Sequence, residues 1–316
     1  SIGPCDTMDI FAQQVLNGLV LGSVYALVAL GYTMVYGILG LINFAHGEVV
    51  MIGAMVALAV VLFLTSVSPG LSPFLVIIFA GILAILVCMA LAFFIERLAY
   101  RPLRNAPRLA PLITAIGISI LLQNLAMIIW GRKYKTVPEI FPKETFELYG
   151  ASITTVQIFI IAISAAIMAG LLVIVHFTKL GRAMRATSES QRVAGLMGIN
   201  VNKIISVTFM IGAALAAIAG ILVAANYSVA HYSMGFMLGL KAFTAAVLGG
   251  IGNLGGAVLG GLLLGLIESI GAGYIGDLTG GFLGSHYQDV FAFVVLIIVL
   301  VFRPTGIMGE RVSERA

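Results

Sequence analysis

The sequence predicts an all-α chain that crosses a membrane many times, a polytopic transmembrane helix bundle. Three observations carry this prediction. Of 316 residues, 61% are hydrophobic and 9% are charged, where an ordinary soluble domain carries roughly a quarter charged residues. Apolar runs recur from Ile10 to Phe302, most of them near the ~20 residues that a helix needs to cross a hydrocarbon slab. The runs are also continuously apolar and rich in Leu, Ile, Ala and Gly, unlike the alternating strands of a membrane β-barrel. In a slab without water, helices satisfy every backbone group within the segment.

Taken in order, the runs are Ile10–Tyr36, Val49–Leu64, Leu71–Ile95, Leu109–Trp130, Ile153–Phe177, Ile204–Ala225, Phe236–Ile251, Ala257–Ile270 and Val290–Phe302, which makes about nine spans. The seventh and eighth are short. Between them lies Gly249–Gly256, reading GGIGNLGG, where glycines permit a tight reversal. A broken or re-entrant Gly-rich segment is therefore expected near the C-terminal third. Such backbone survives at membrane depth only when protein or a water-filled cavity covers it. Residues 1–7 look unlike the rest of the chain and read as an expression remnant or a misassigned start, without the basic stretch and cleavage site of a signal peptide. Residues 8–308 read as a single transmembrane domain and 309–316 as a tail.

Lysines and arginines set the expected orientation, since they collect in cytoplasmic connections. Arg97, Arg101, Arg104 and Arg108 share one connection, Lys179, Arg182, Arg185, Arg192 and Lys203 another, and Arg303, Arg311 and Arg315 end the chain. Counting helices from these places the N-terminus outside and the C-terminus in the cytoplasm. The loop from Gly131 to Gly150 then falls outside, despite Arg132, Lys133, Lys135 and Lys143. Glu139, Glu144 and Glu147 in that loop weigh little in this rule.

Several chemistries are disfavoured. Gly250, Gly252 and Gly255 spell GxGxxG, but between membrane segments and with no preceding strand the pattern carries no dinucleotide site. No Gly-x-x-x-x-Gly-Lys-Ser/Thr loop occurs, so a nucleotide phosphate has no P-loop cradle. The histidines His46, His176, His231 and His286 stand far apart and the cysteines are Cys5 and Cys88, which gives no metal-ligand spacing or nucleophile constellation. Cys88 reads as a small hydrophobe. The net charge of +4 sits in particular loops and is topology information rather than a nucleic-acid footprint. Gly18 with Gly22, Gly252 with Gly256 and Gly260, and Gly261 with Gly265 read as faces for close helix packing.

Polar side chains inside apolar spans are costly unless paired or facing a cavity. The densest group is Asn43, His46 and Glu48, at the break between the first two spans. Either they form a self-satisfied hydrogen-bond knot that holds a broken helix, or they line or gate a pathway. Gln123 with Asn124, Lys241, Asn253 and Glu268 are weaker cases of the same kind.

The loop from Lys179 to Lys203 carries a second signal. Ser188, followed by Glu189, Ser190 and Gln191, fits a capping box with Gln191 reaching back. It predicts a helix over Glu189–Met197 that stops at Gly198, a C′ residue. Val193, Leu196 and Met197 would form one apolar patch, for the membrane surface or for a groove on a partner.

Six ordered stretches then point to a family. They are GYTMVYGILGLINFAHGE at Gly31–Glu48, MIGA at Met51–Ala54, ERLAYRPLR at Glu96–Arg104, GRAMRA at Gly181–Ala186, GLMGINVNKI at Gly195–Ile204 and KAFTAAVLGGIGNLGGAVLGG at Lys241–Gly261. Together they resemble the LivH-type permeases of bacterial high-affinity branched-chain amino-acid ABC importers, over about Met8 to Met308.

The resemblance implies a multi-pass permease of the bacterial inner membrane, in contact with lipid, and no enzyme or bound cofactor. It implies a second related permease, two cytoplasmic ATPase subunits that use the ATP, and a periplasmic amino-acid-binding protein. Under it, Gly181, Arg182, Arg185, Ser188, Glu189, Val193, Leu196, Met197 and Gly198 belong to an ATPase-coupling stretch. The same superfamily also imports sugars, nucleosides, urea and short amides. A secondary transporter coupled to an ion gradient through Glu48 or Glu268 is the rival from another class.

Overall fold

The computed structural model describes residues 4–107, 109–138, 144–148, 150–278 and 287–309. Residues 1–3, Arg108, Glu139, Lys143, His286 and the tail from 310, with Arg311 and Arg315, lie outside the described residues. In chain order the helices are α1 (Pro4–Leu39), α2 (His46–Val67), α3 (Pro73–Ile95, continued by a π turn over Glu96–Tyr100), α4 (Leu109–Trp130), α5 (Thr155–Phe177), α6 (Lys179–Glu189), α7 (Gln191–Leu196), α8 (Val201–Tyr227), α9 (Met234–Gly249), α10 (Leu254–Leu278) and α11 (Gln288–Phe302). Four short strands join them: β1 (Lys135–Thr136), β2 (Thr145–Leu148), β3 (Ala151–Thr154) and β4 (Val229–Ala230). Among the described residues, α1, α2, α3, α4, α5, α8 and α10 are long and apolar enough to cross a membrane, while α9 and α11 are apolar but shorter. Every apolar run read from the sequence falls on one of these helices apart from end residues such as Leu71, Ile153 and Ile251.

Local chemistry explains where the long helices start and stop. Ser72 accepts from Leu75 N–H with Pro73 in the first turn of α3, and Asn200 accepts from Lys203 N–H at the head of α8, the side-chain caps that orphan N–H groups need. Gly40 after α1 and Gly131 after α4 take positive φ, and each donates its N–H back to a carbonyl four residues earlier, as helix C-termini commonly do.

The described chain clusters into two compact units. One comprises residues 30–141 and 169–240. Its centre is the packing of α2, α3 and α8 on one another, with Ala57, Val61, Val76, Ala80 and Ala84 buried between α2 and α3. Small residues let the backbones approach, and a Cβ on Gly53 would stand 2.5 Å from Ala217 Cα. β1 pairs antiparallel with β4. On α4, Pro111, Ala115, Ser119, Leu122 and Ala126 form the buried stripe, while Ile113, Ile120, Ile128 and Ile129 are exposed. An outward face of this kind suits lipid as solvent.

The other unit comprises residues 1–29, 142–168 and 241–316. Gly18 and Gly22 of α1 seat against Leu266 and Leu262 of α10, each Cα 2.8 Å from where a Cβ would stand, so these repeats serve packing. β2 and β3 form a hairpin, and Gln13 Oε1 accepts from Ser152 N–H at 2.7 Å. The turn between α9 and α10 needs Gly250, whose φ is +108° and whose missing Cβ would strike the backbone of Gly309. Residues 304–309 clasp this turn. Ile307 N–H donates to Leu248 O at 3.0 Å and Met308 N–H to Gly249 O at 2.9 Å, while Gly252 in the turn stays exposed.

Candidate functional site

The polar group at the first break is built by the chain leaving α1 and re-entering as α2. Asn43 folds its carboxamide onto the break, its Oδ1 accepting from Ala45 N–H at 3.1 Å and from Tyr100 Oη at 2.8 Å. Tyr100 also packs on Phe209 of α8, ring centroids 5.4 Å apart. His46 opens α2 edge-on to Tyr32, centroids 4.8 Å apart, in the space left by Gly31, where a Cβ would fall on the imidazole. Two residues later Glu48 is 1% exposed. Ser119 Oγ on α4 donates to its Oε1 at 3.1 Å, while Oε2 has no hydrogen-bond partner among the described residues. Asn43 and His46 therefore belong to a braced break, and Glu48 holds unused hydrogen-bonding capacity. The first turns of α9 come close here, with Gly47 facing Gly235 and Gly239.

The other sequence candidates stand apart from this group. Asn124 on α4 is exposed and donates to its own helix at Ile120 O, 2.8 Å away, and Gln123 is half-buried beside it. Asn253 caps α10 by accepting from Gly256 N–H at 2.9 Å and donates to Met308 O at 3.2 Å, which engages both ends of its amide in the clasped turn.

Two ionic clusters join residues that lie far apart in the chain or look isolated in it. On the π turn, Glu96 is 0% exposed and is caged by Arg101 Nη2 at 3.0 Å, by Arg104 Nη2 and by Ser206 Oγ at 2.7 Å. Arg104 also donates to Asn202 Oδ1. The motif ERLAYRPLR thus folds into a buried carboxylate with two guanidiniums and a serine across on α8. In the other unit, Lys241 of α9 donates to Glu268 Oε1 of α10 at 2.7 Å and pairs with Asp289 of α11, while Tyr25 Oη donates to Glu268 Oε2 at 2.9 Å. The sequence marks Lys241 and Glu268 only singly. The rule that an ionised group in an apolar span needs a partner would have joined them. Among the described residues no group of His, Cys, Asp or Glu could hold a metal ion.

The basic loop differs from its sequence reading. Ser188 does not cap a helix over Glu189–Met197. It lies inside α6, its hydroxyl donating to Arg185 O at 2.7 Å. The upstream helix starts at a signal passed over, Thr178 accepting from Gly181 N–H at 3.1 Å, and once formed it runs through Ser188 to Glu189. The chain extends at Ser190, which accepts from Val193 N–H at 3.3 Å and caps α7 in place of Ser188. Gln191 does not reach back to a cap; its Nε2 donates to Ile38 O at 2.9 Å. Gly181 sits so close to the carbonyls of Ile174 and Val175 that a Cβ would collide with both, which fixes the corner between α5 and α6. Arg185 donates to His176 O at 3.3 Å, while Arg182 and Glu189 point to solvent. Gly198 takes φ +86° just after the Met197 C-cap, as expected. Val193, Leu196 and Met197 are 56%, 80% and 78% exposed, an apolar tip of two or three side chains on a short basic hairpin of helices.

Residues 14–300 match the family model described as the permease component of branched-chain amino acid transport systems. The chain belongs to this permease family. It is 48% identical over 309 residues to the high-affinity branched-chain amino acid transport system permease protein BraD of Pseudomonas aeruginosa, covering 96% of this chain and 98% of that one. It is 45% identical to LivH of Escherichia coli K12, covering 96% and 97%. A probable branched-chain amino acid transport permease, LivH of Methanocaldococcus jannaschii, is 30% identical over 95% and 94%. Membership of the permease family agrees with a multi-pass helical chain, and it covers both compact units.

Proposed function

We propose that this chain is the membrane-spanning permease subunit of an ATP-driven importer that carries leucine, isoleucine and valine from periplasm to cytoplasm across a bacterial inner membrane. Its partners are a second related permease, two cytoplasmic ATPase subunits and a periplasmic amino-acid-binding protein. The ATPases use the ATP, and this chain contributes no catalytic residue and binds no cofactor. Transport runs by alternating access, with helix movement driven through the α6–α7 segment. The N-terminus lies outside and the C-terminus in the cytoplasm, with Arg101, Arg182, Arg185 and Arg303 on the inner side. Glu48, beside the break of α1 and α2, is the side chain best placed to line or gate the pathway. Asn43 and His46 hold the break in shape.

The observation that carries this reading is the exposed tip of α7. A basic loop in a family of transport-system permeases presents Leu196 and Met197 to solvent on a helix whose inner residue Ala194 is buried. Such a tip suits a groove on a partner. Fully burying a leucine is worth roughly 1.5–3 kcal/mol, so its loss weakens docking by about ten-fold to a hundred-fold. Leu196→Asp is therefore expected to insert in the membrane at wild-type level, to recover fewer ATPase subunits on purification and to lose ATP-dependent uptake. Full ATPase recovery at matched expression would refute α7 as the docking element. Uptake by the lone permease in an ion gradient without ATP would favour a secondary transporter.

A further inference from the structure

Beside the Glu96 cage the structure holds a cavity of about 380 Å³, lined by Leu39, Leu41, Arg101, Arg104, Asn105, Gln191 and Asn202. That volume falls within the range of small-molecule sites. Glu96 answers only one of the two guanidinium charges in its wall. Arg101 gives Nε and Nη2 to Glu96, and Arg104 gives Nη1 to Asn202 and Nη2 to Glu96. Arg104 Nε is a buried donor without an acceptor among the described residues, so the charge of this guanidinium is only partly answered. The wall also offers an acceptor for a cation. Gln191 uses its Nε2 on Ile38 O, which leaves its carbonyl oxygen available, and Asn105 is exposed at the same cavity. Leu39 and Leu41 complete the wall with aliphatic surface.

We propose that this cavity is a binding site for a free α-amino acid, its carboxylate taken by Arg101 and Arg104 beside Asn105 and its ammonium by the amide oxygen of Gln191. This rests on the importer reading, which puts the cavity on the cytoplasmic side and supplies the amino acid as product. Gln191 is the first residue of α7 and is bonded to the last turn of α1. An occupant therefore ties the coupling segment to the ends of α1 and α8 and slows the return of the transporter to its outward state. The site senses accumulated product.

The test uses the complete complex in proteoliposomes with ATP enclosed, so that only complexes with their ATPases facing the lumen work. Initial entry of labelled valine is compared with and without unlabelled leucine enclosed, as a ratio for each variant. Enclosed leucine at twice its Kd slows the wild type about three-fold. Asn105→Asp sets a carboxylate where the amino acid's own carboxylate must come, at an exposed position that folding tolerates, and brings the ratio back to about one. Arg104→Gln does the same if the cage still folds with Arg101. An unchanged wild-type ratio overturns the site, as does equal slowing in Asn105→Asp. Slowing by enclosed inorganic phosphate but not by leucine also overturns it, in favour of a phosphate site. Saturation-transfer NMR of leucine on the full chain in nanodiscs is read separately. Transfer that Asn105→Asp lowers, in a preparation without ATP-driven uptake, upholds the site and refutes the importer reading instead.

Discussion

Replacing Lys241 by Met removes one ammonium of nearly the same volume from the interior of the α9–α10–α11 unit and leaves its carboxylates behind. Glu268 is 1% exposed, with Lys241 Nζ on Oε1 and the Tyr25 hydroxyl on Oε2. Without the lysine, the buried carboxylate keeps the neutral Tyr25 hydroxyl as a donor. Removing one partner of a buried ion pair costs about 3–5 kcal/mol, because the other charge is left uncompensated. Asp289 has a third of its side chain exposed, but the Oδ1 that meets the lysine is buried and loses its cation as well. Lys241→Met is therefore expected to lower thermal stability markedly in detergent, read as monodisperse protein after heating. Adding Glu268→Gln removes one of the two orphaned charges and restores part of the loss. The coupling between the two changes should reach at least roughly 1–2 kcal/mol, as for residues in direct contact. If Lys241→Met is as stable as the wild type, or if Glu268→Gln deepens the loss additively, the triad is not the bond that the geometry implies.

Glu48→Gln keeps the size and the Ser119 hydrogen bond and is expected to leave assembly intact while lowering uptake; unchanged uptake at wild-type stability would end the pathway role. Gly47→Val forces a side chain into the backbone of Gly235 and Gly239, and should cut the yield of folded protein measured by size exclusion, whereas valine at the open position Gly195 should not. A cysteine at Ser188 should react with an impermeant thiol reagent only from the cytoplasm and one at Lys133 only from outside, and external labelling at Ser188 would overturn both the orientation and the coupling role of α6–α7.

The helices that span the membrane were legible because length and hydropathy alone decide them. Each apolar run found its helix, and the break near Asn43 announced itself by three polar residues in an apolar stretch. What could not be read was pairing. Glu96 meets Ser206 across 110 residues, and no local pattern shows a carboxylate on a π turn that its cage will be completed from α8. The α6–α7 hairpin was misread for a local reason. Ser188 and Ser190 both fit a cap at the head of an apolar stretch, and the choice belonged to Thr178, ten residues upstream, which starts α6 early enough to enclose Ser188.

The clasp of residues 304–309 on the glycine turn bears on how the chain is made. During synthesis α9 and α10 leave the ribosome well before the clasp, yet the carbonyls of Leu248 and Gly249 find their partners only on Ile307 and Met308. Until then those two acceptors lack the partners they have in the folded chain. The α9–α10 turn is thus completed by a segment translated about fifty residues later, and a chain stalled before it lacks both of these hydrogen bonds.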